Sequence, residues 1–246
     1  MEWLAECYHA SDILSKIRSI GKLSEDMYDL VVRGGTVVTP LSSQTIDVAV
    51  QGESIAALGR DLRGQRIIDA AGLLVFPGVI DAHTHMNLPV SGTRTSDDFY
   101  TGTVAAAFGG VTTIVDFTIG APHTSMPLDI DRRLEDLTPA VVDVGLHAEV
   151  VGWHPNSAGQ FVDACRRGVT SFKFYTTYSA SGRQTPPDRL RAAMEHLGDL
   201  GCTALVHCED DKLIQSIMAS LSPEKLADMA TLAEARPDLC EQTAIA

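Results

Sequence analysis

Apolar positions along this chain fall into two regimes. Between Tyr28 and about Asp69 they come in short runs, Leu30-Val31-Val32-Arg33, Thr36-Val37-Val38, Ile46-Asp47-Val48-Ala49-Val50 and Ser54-Ile55-Ala56-Ala57-Leu58, with Gly34-Gly35 between the first two. Such runs predict strands and the glycine pair a hairpin turn, so residues 27–72 read as a small β-module, too short to be stable without more strands. Beyond Gly72, strand-length apolar runs alternate with helical patterns, which predicts β/α units on a parallel sheet. The expected strands are 73–80, 111–117, 141–151, 169–175 and 203–207. Between them, Ser96 with Asp97 and Asp98 opens a helix that Gly109-Gly110 closes. Thr185-Pro186 opens a second that Gly201 closes, and Ser222-Pro223-Glu224 opens a third.

Residues 1–26 show no strand pattern and read as an extension, with Met27 a natural place for the ordered chain to start. At the other end Pro237 begins a helical pattern (Leu239, Thr243, Ala244) that breaks off at Ala246. Five β/α strands cannot close a barrel that needs eight, and an open parallel edge leaves backbone groups unpaired. The expectation is therefore a truncated chain, inactive and aggregation-prone alone, whose residues 73–246 are the first part of a barrel cut before strands 6–8.

Composition narrows the partners. Nineteen basic residues against 32 acidic give a formal charge of −13, which repels phosphate backbones and anionic membrane surfaces. Nucleic acid and membrane are excluded as partners on that ground. No apolar run is long enough to cross a bilayer, and Glu2 and Glu6 stand where a signal peptide has basic residues, so the expected location is the cytoplasm. Cys7, Cys165, Cys202, Cys208 and Cys240 are odd in number and never in Cys-X-X-Cys spacing, which predicts reduced packing thiols.

Chemistry concentrates at strand ends. His83-Thr84-His85 closes the apolar run that begins at Phe76, and strand alternation sends both imidazoles to one face. In a barrel that face is the mouth, although the spacing alone fits equally two polar residues ending a strand. Lys173 lies between Phe172 and Phe174, so alternation turns it inward among apolar neighbours, where burial lowers an amine pKa. His207 ends the fifth strand. His147 and Asp116 read as core groups or as supports behind other side chains. His123 and His154 fall in loops, with nothing in their spacing to mark them, and alternation sends Cys208 to the face opposite His207.

Five motifs in order carry a resemblance. They are Asp29-Leu30-Val31-Val32-Arg33-Gly34-Gly35-Thr36-Val37-Val38, then Phe76-Pro77-Gly78-Val79-Ile80-Asp81-Ala82-His83-Thr84-His85, then Thr95-Ser96-Asp97-Asp98-Phe99 running on to Val115-Asp116-Phe117. Ser171-Phe172-Lys173-Phe174-Tyr175 and Val206-His207-Cys208-Glu209-Asp210 complete the set. From about Asp29 onward the chain resembles the cyclic amidohydrolases, and within them the dihydropyrimidinase and hydantoinase group. The resemblance implies an α/β fold, an incomplete metal-dependent (β/α)8 TIM barrel of about five strands beside part of a small β-sandwich.

It also implies a site. Two Zn2+ ions would be bridged by carboxylated Lys173, with His83 and His85 on the more buried metal and His207 on the other. Tyr178, five residues beyond Lys173, would donate a hydrogen bond to the oxyanion of the opening ring. A further histidine and a proton-shuttling aspartate belong to strands 6 and 8. The implied reaction is opening of the cyclic amide bond of a dihydropyrimidine or hydantoin by a hydroxide shared between the zinc ions, in a homo-oligomer, commonly a tetramer. Allantoinase and dihydroorotase share the metal motif and are the alternatives within the class. A non-catalytic scaffold relative is the alternative outside it, against which stands the retention of His83, His85 and Lys173.

Overall fold

The computed structural model describes residues 27–246 apart from Ser91 and His123, and they form two compact units that divide between Pro77 and Gly78. The proposed extension 1–26, Cys7 and the loop residue His123 lie outside the described residues.

The first unit holds two small sheets. In one, strands β1 (Tyr28–Arg33), β4 (Asp47–Gln51), β5 (Ser54–Gly59) and β6 (Gly64–Asp69) lie in the order β5-β4-β1-β6. In the other, β2 (Thr36–Val38) sits between β3 (Ser43–Thr45) and β7 (Leu74–Val75). Val31, Ala49 and Ala57 form the buried centre. Asp47 ties the unit together: its carboxylate accepts the N–H of Gly34 at 2.9 Å and of Leu62 at 3.2 Å. Gly34 needs its glycine, because the turn takes it to φ +71°.

The second unit is built on β8 (Val79–Thr84), β11 (Val111–Phe117), β12 (Asp143–Glu149), β13 (Ser171–Tyr175) and β14 (Thr203–His207). All pairings are parallel and each strand lies beside its predecessor, the order of a winding β/α barrel. A two-stranded ribbon, β9 (Pro89–Val90) with β10 (Thr93–Arg94), follows β8. The main connecting helices are α1 (Phe99–Phe108), α2 (Met126–Asp136), α3 (Gly159–Arg166), α4 (Pro187–Asp199) and α5 (Asp211–Ser220). Three short helices close the chain: α6 (Pro223–Leu226), α7 (Leu232–Ala235) and α8 (Asp238–Ile245). Among the described residues none is long and apolar enough to cross a membrane.

Alternation along the strands separates core from site. Phe172 and Phe174 are fully buried with Ile130, Leu146, Ala148, Phe161 and Leu197 in the helix-side core, which leaves Lys173 on the inner face. The register then lines up pairs at the C-terminal ends: Asp116 opposite Thr84, His147 opposite Phe117, Glu149 opposite Lys173, and His207 opposite Tyr175.

One expectation about elements is corrected and one sharpened. The run 73–80 is not one strand: Leu74–Val75 pairs with β2 in the first unit, and β8 starts only at Val79. Pro77 lacks an amide donor for a ladder, and a Cβ on Gly78 would meet the Thr112 side chain at 2.1 Å. Of the three residues expected to open α1, Asp98 is the cap: its carboxylate accepts Thr101 N–H at 2.7 Å and Thr101 Oγ1 closes a capping box.

Candidate active site

His83 is carried by β8 and His85 lies just beyond its end. Their ring centroids are 5.2 Å apart, and each packs 4.6 Å from the ring of Phe117 at the end of β11. Both pKa values are lowered. For His83 the causes are burial first, then the charges of His85 and Lys173. For His85 burial outweighs the opposing charges of Asp116 and Glu149. Both imidazoles are therefore neutral at pH 7, with a nitrogen lone pair available.

Lys173 joins them from β13. It is 9% exposed, and its Nζ stands 6.0 Å from the Phe117 ring centroid and 5.4 Å from that of Tyr175. Burial lowers its pKa against the opposing pull of Glu149. Glu149 is itself held, with Tyr175 Oη donating to it at 2.7 Å, Gly120 N at 2.8 Å, and an ion pair to Arg183.

His207 and Tyr178 form a neighbouring group. Their rings are 5.4 Å apart, and Tyr175, 6.1 Å from His207, links this pair to Lys173. His207 Nε2 is 2.5 Å from Glu209 Oε2; Arg236 pairs with the same carboxylate and lies over the Tyr178 ring at 5.1 Å. Tyr178 adopts a left-handed backbone, φ 66°, and Asp211 secures its loop by accepting from Thr177 Oγ1 at 3.1 Å and Ser179 Oγ at 2.5 Å. Burial works to raise the Asp211 carboxyl, and the bonds from Ser179 and Thr177 outweigh it, so it is held below the ordinary range.

Thus all five predicted site residues stand on the inner face or its rim, in two clusters bridged by Tyr175. Among the described residues no group of three or more His, Cys, Asp or Glu is assembled to hold a metal ion. The physical reason is that the third group beside His83 and His85 is an amine, and that His207 is turned onto Glu209. A cleft of about 500 Å3 opens alongside, lined by Pro122, Asp129, Glu149, Trp153 and Arg189, and it shares only Glu149 with these clusters.

The bystanders divide. His147 has both nitrogens engaged, Nε2 with Ala82 O at 2.9 Å and Nδ1 with Ser171 Oγ at 2.5 Å, so it braces β12 against β8 and β13. Asp116 is fully buried and holds Arg133 Nη2 at 2.6 Å and the Met86 N–H at 2.8 Å, directly after His85. His154 caps the turn that follows it, its carbonyl accepting Ser157 N–H. Strand β14 ends at His207, so alternation does not extend to Cys208, which feels the charge of Lys173. Sequence reasoning missed Arg133, Asp211 and Arg236, whose roles come from contacts across 17 to 34 positions; Glu209 lies within a quoted motif and Asp211 directly after it, but nothing in the spacing marks either as a contact of His207 or of the Tyr178 loop.

A pH effect follows from the histidines. Below their ordinary value of 6.5 the unfolded chain binds protons that folded His83 and His85 resist, so stability present above pH 6.5 declines as pH falls. Thermal unfolding between pH 7.5 and 5 is expected to show that decline, and a double His83→Ala, His85→Ala chain to show a shallower one; equal slopes would remove these residues as its source.

A parallel sheet wound strand after strand, with imidazoles and a buried lysine at its C-terminal ends, is part of a β/α barrel. Residues 74–236 match the amidohydrolase family, and the chain belongs to it. It is 38% identical over 194 residues to dihydropyrimidinase of Rattus norvegicus, covering 75% of this chain and 37% of that protein. It is 35% identical over 190 residues to D-hydantoinase of Geobacillus stearothermophilus, covering 75% and 40%. Among solved structures, D-hydantoinase from Bacillus sp. AR9 superposes with a TM-score of 0.83 at 34% identity, over 88% of this chain and 48% of that one. The chain thus spans half or less of the length of these relatives.

Proposed function

We propose that this chain carries part of the active site of a dihydropyrimidinase- or hydantoinase-like hydrolase that opens cyclic amides of the dihydropyrimidine or hydantoin class. The observation that carries the reading is the convergence of His83, His85 and desolvated Lys173 on Phe117, three nitrogen groups whose protonated forms burial disfavours. That donor set fits a divalent metal of the zinc type, which takes neutral imidazole readily.

His83 and His85 would hold one ion, and His207, once released from Glu209, a second. Lys173 would hold both as a carbamate: its amine, once deprotonated, adds to the carbon of CO2, an N–C bond forms as one C=O π bond opens, one proton leaves, and a single negative charge is shared by two oxygens. Bound there, the metals supply Lewis acidity toward water and toward the substrate carbonyl. Tyr178 Oη donates a hydrogen bond to the carbonyl oxygen as charge develops on it, and its loop is held ready by Asp211. Tyr175 and Phe117 wall the lysine from solvent.

On this reading residues 27–77 belong to a small β-sandwich and 78–246 to the barrel, the boundary lying five residues later than the sequence pattern predicts, with the remaining ligands on strands other than these five. The assembled enzyme is a cytoplasmic homo-oligomer, a tetramer by family resemblance.

The test is ring opening of dihydrouracil, hydantoin, allantoin and dihydroorotate by zinc-loaded protein in which this chain is joined by the strands that supply the remaining ligands, with metal content measured in parallel. Turnover of either of the first two supports the reading. Turnover of only allantoin or dihydroorotate, or a protein that takes up no metal, overturns it. Tyr178→Phe is expected to lower kcat about 10²-fold to 10³-fold with metal content unchanged; an unaltered kcat would remove it from the oxyanion role.

A further inference from the structure

At the opposite end of the sheet from these groups lies a second reactive cluster. Cys165, in the last turn of α3, and Cys202, immediately before β14, bring their sulfurs to 3.2 Å. That is nearer than ordinary carbon–carbon contact of about 3.5–4.0 Å, although sulfur is the larger atom. Both are half-buried against the helix-side core, and among the described residues no other two cysteines come this close.

The approach is built into the backbone. Gly168 and Gly201, at φ +85° and +68°, make matching turns after α3 and α4. Val169 N donates to Ala164 O at 3.1 Å and Cys202 N to Leu197 O at 2.9 Å, while Thr203 N reaches Thr170 O at 2.9 Å and ties the two turns side by side. The sulfurs are thus carried by two mutually bonded segments, and joining them asks for about 1 Å of side-chain movement.

We propose that Cys165 and Cys202 are a redox modification site, closing to an intramolecular disulfide on exposure to a small peroxide oxidant. Burial and the bond with Cys165 push the Cys202 thiol up to about 12, and the same disulfide results whichever of the two sulfurs is oxidised first, here Cys165. The Cys165 sulfur bonds to one peroxide oxygen, the O–O bond breaks, and one water leaves with a sulfenic acid remaining. The Cys202 sulfur then attacks the Cys165 sulfur. The S–O bond breaks, the Cys202 proton goes to the departing hydroxide as a second water, and the S–S bond forms. Two thiols lose two electrons and two protons, and one hydrogen peroxide becomes two waters.

The residues are 37 positions apart, and the enclosed segment contains β13 and α4, hence Lys173 and Tyr178. Cross-linking restrains that segment in the unfolded chain and is expected to shift the unfolding equilibrium toward the folded state on the order of 10²-fold to 10³-fold.

The experiment treats the full chain with hydrogen peroxide, alkylates remaining thiols, digests without reduction and maps the peptides by mass. A Cys165–Cys202 linked pair, two hydrogens lighter than the sum of its parts and lost on adding dithiothreitol, is the expected result. Unfolding in denaturant is then expected at a higher midpoint for the oxidised chain than for the reduced one. A Cys7→Ser, Cys240→Ser chain should form the same link, since neither residue takes part. Finding both thiols alkylated, or either joined to a different cysteine, under conditions that oxidise a free-thiol peptide overturns the proposal.

Discussion

Replacing Asp116 with alanine is expected to cost about 3 kcal/mol of folding stability, the low end for breaking a buried ion pair, because Arg133 keeps only the half-exposed Asp136, at 3.2 Å, as a charged partner. Arg133 and Asp116 are 2% and 0% exposed, and their 2.6 Å contact joins α2 to the end of β11. Arg133 cannot escape to solvent, because its guanidinium also donates to Met86 O at 2.6 Å and stacks 4.6 Å over Phe99. The same substitution frees the Met86 amide and with it the segment after His85. Urea unfolding of Asp116→Ala, Arg133→Met and the double variant measures the coupling. The double variant should cost less than the sum of the singles. A loss under about 1 kcal/mol for Asp116→Ala, the scale of an exposed ion pair, would refute this account.

Lys173→Met separates function from stability. Methionine fills a similar volume without a charge, and burial already disfavours the ammonium at this position. The unfolding midpoint is therefore expected to stay level or rise. Metal affinity should nonetheless fall more than about 100-fold, beyond the 10-fold to 100-fold of a group that only supports a ligand. Ring opening should fall by at least about 10³-fold, as befits several kcal/mol of charge stabilisation. Zinc titration and denaturant unfolding on one preparation give both readouts. A variant that holds zinc as tightly as the parent would remove Lys173 from the site, whatever its stability; a variant that loses both zinc and stability would make the lysine structural.

Local rules reach a good deal of this molecule. Period-two runs and glycine turns locate four strands of the first unit and the five parallel strands of the second to within a few residues, but not β3, β6, β9 or β10, nor β7 as separate from β8, because only the longer apolar runs carry face alternation set by neighbours in the chain. Lys173 between Phe172 and Phe174 is the clearest case: two phenylalanines bound for the helix-side core leave the residue between them facing inward. The ordered motifs around His83, Lys173 and His207 were enough to place the chain among the amidohydrolases. The broken strand at Phe76-Pro77-Gly78 was a local feature read too leniently, since proline's missing donor was visible in the sequence.

Register is what no local pattern contains. Which residue of β11 faces which of β8 depends on shifts in their pairing, and those shifts put Asp116 beside Thr84 and carry Arg133 to it from α2. Likewise nothing near Tyr178 announces that Asp211 will hold its loop, or near Cys165 that Cys202 will lie 3.2 Å away. The chain's own pattern of residues decided its strands, their inward faces and its family. Packing between distant segments decided which neutral nitrogens meet, which charge is locked behind His85, and that His207 rests on Glu209, because those contacts depend on long-range geometry that residue spacing does not encode.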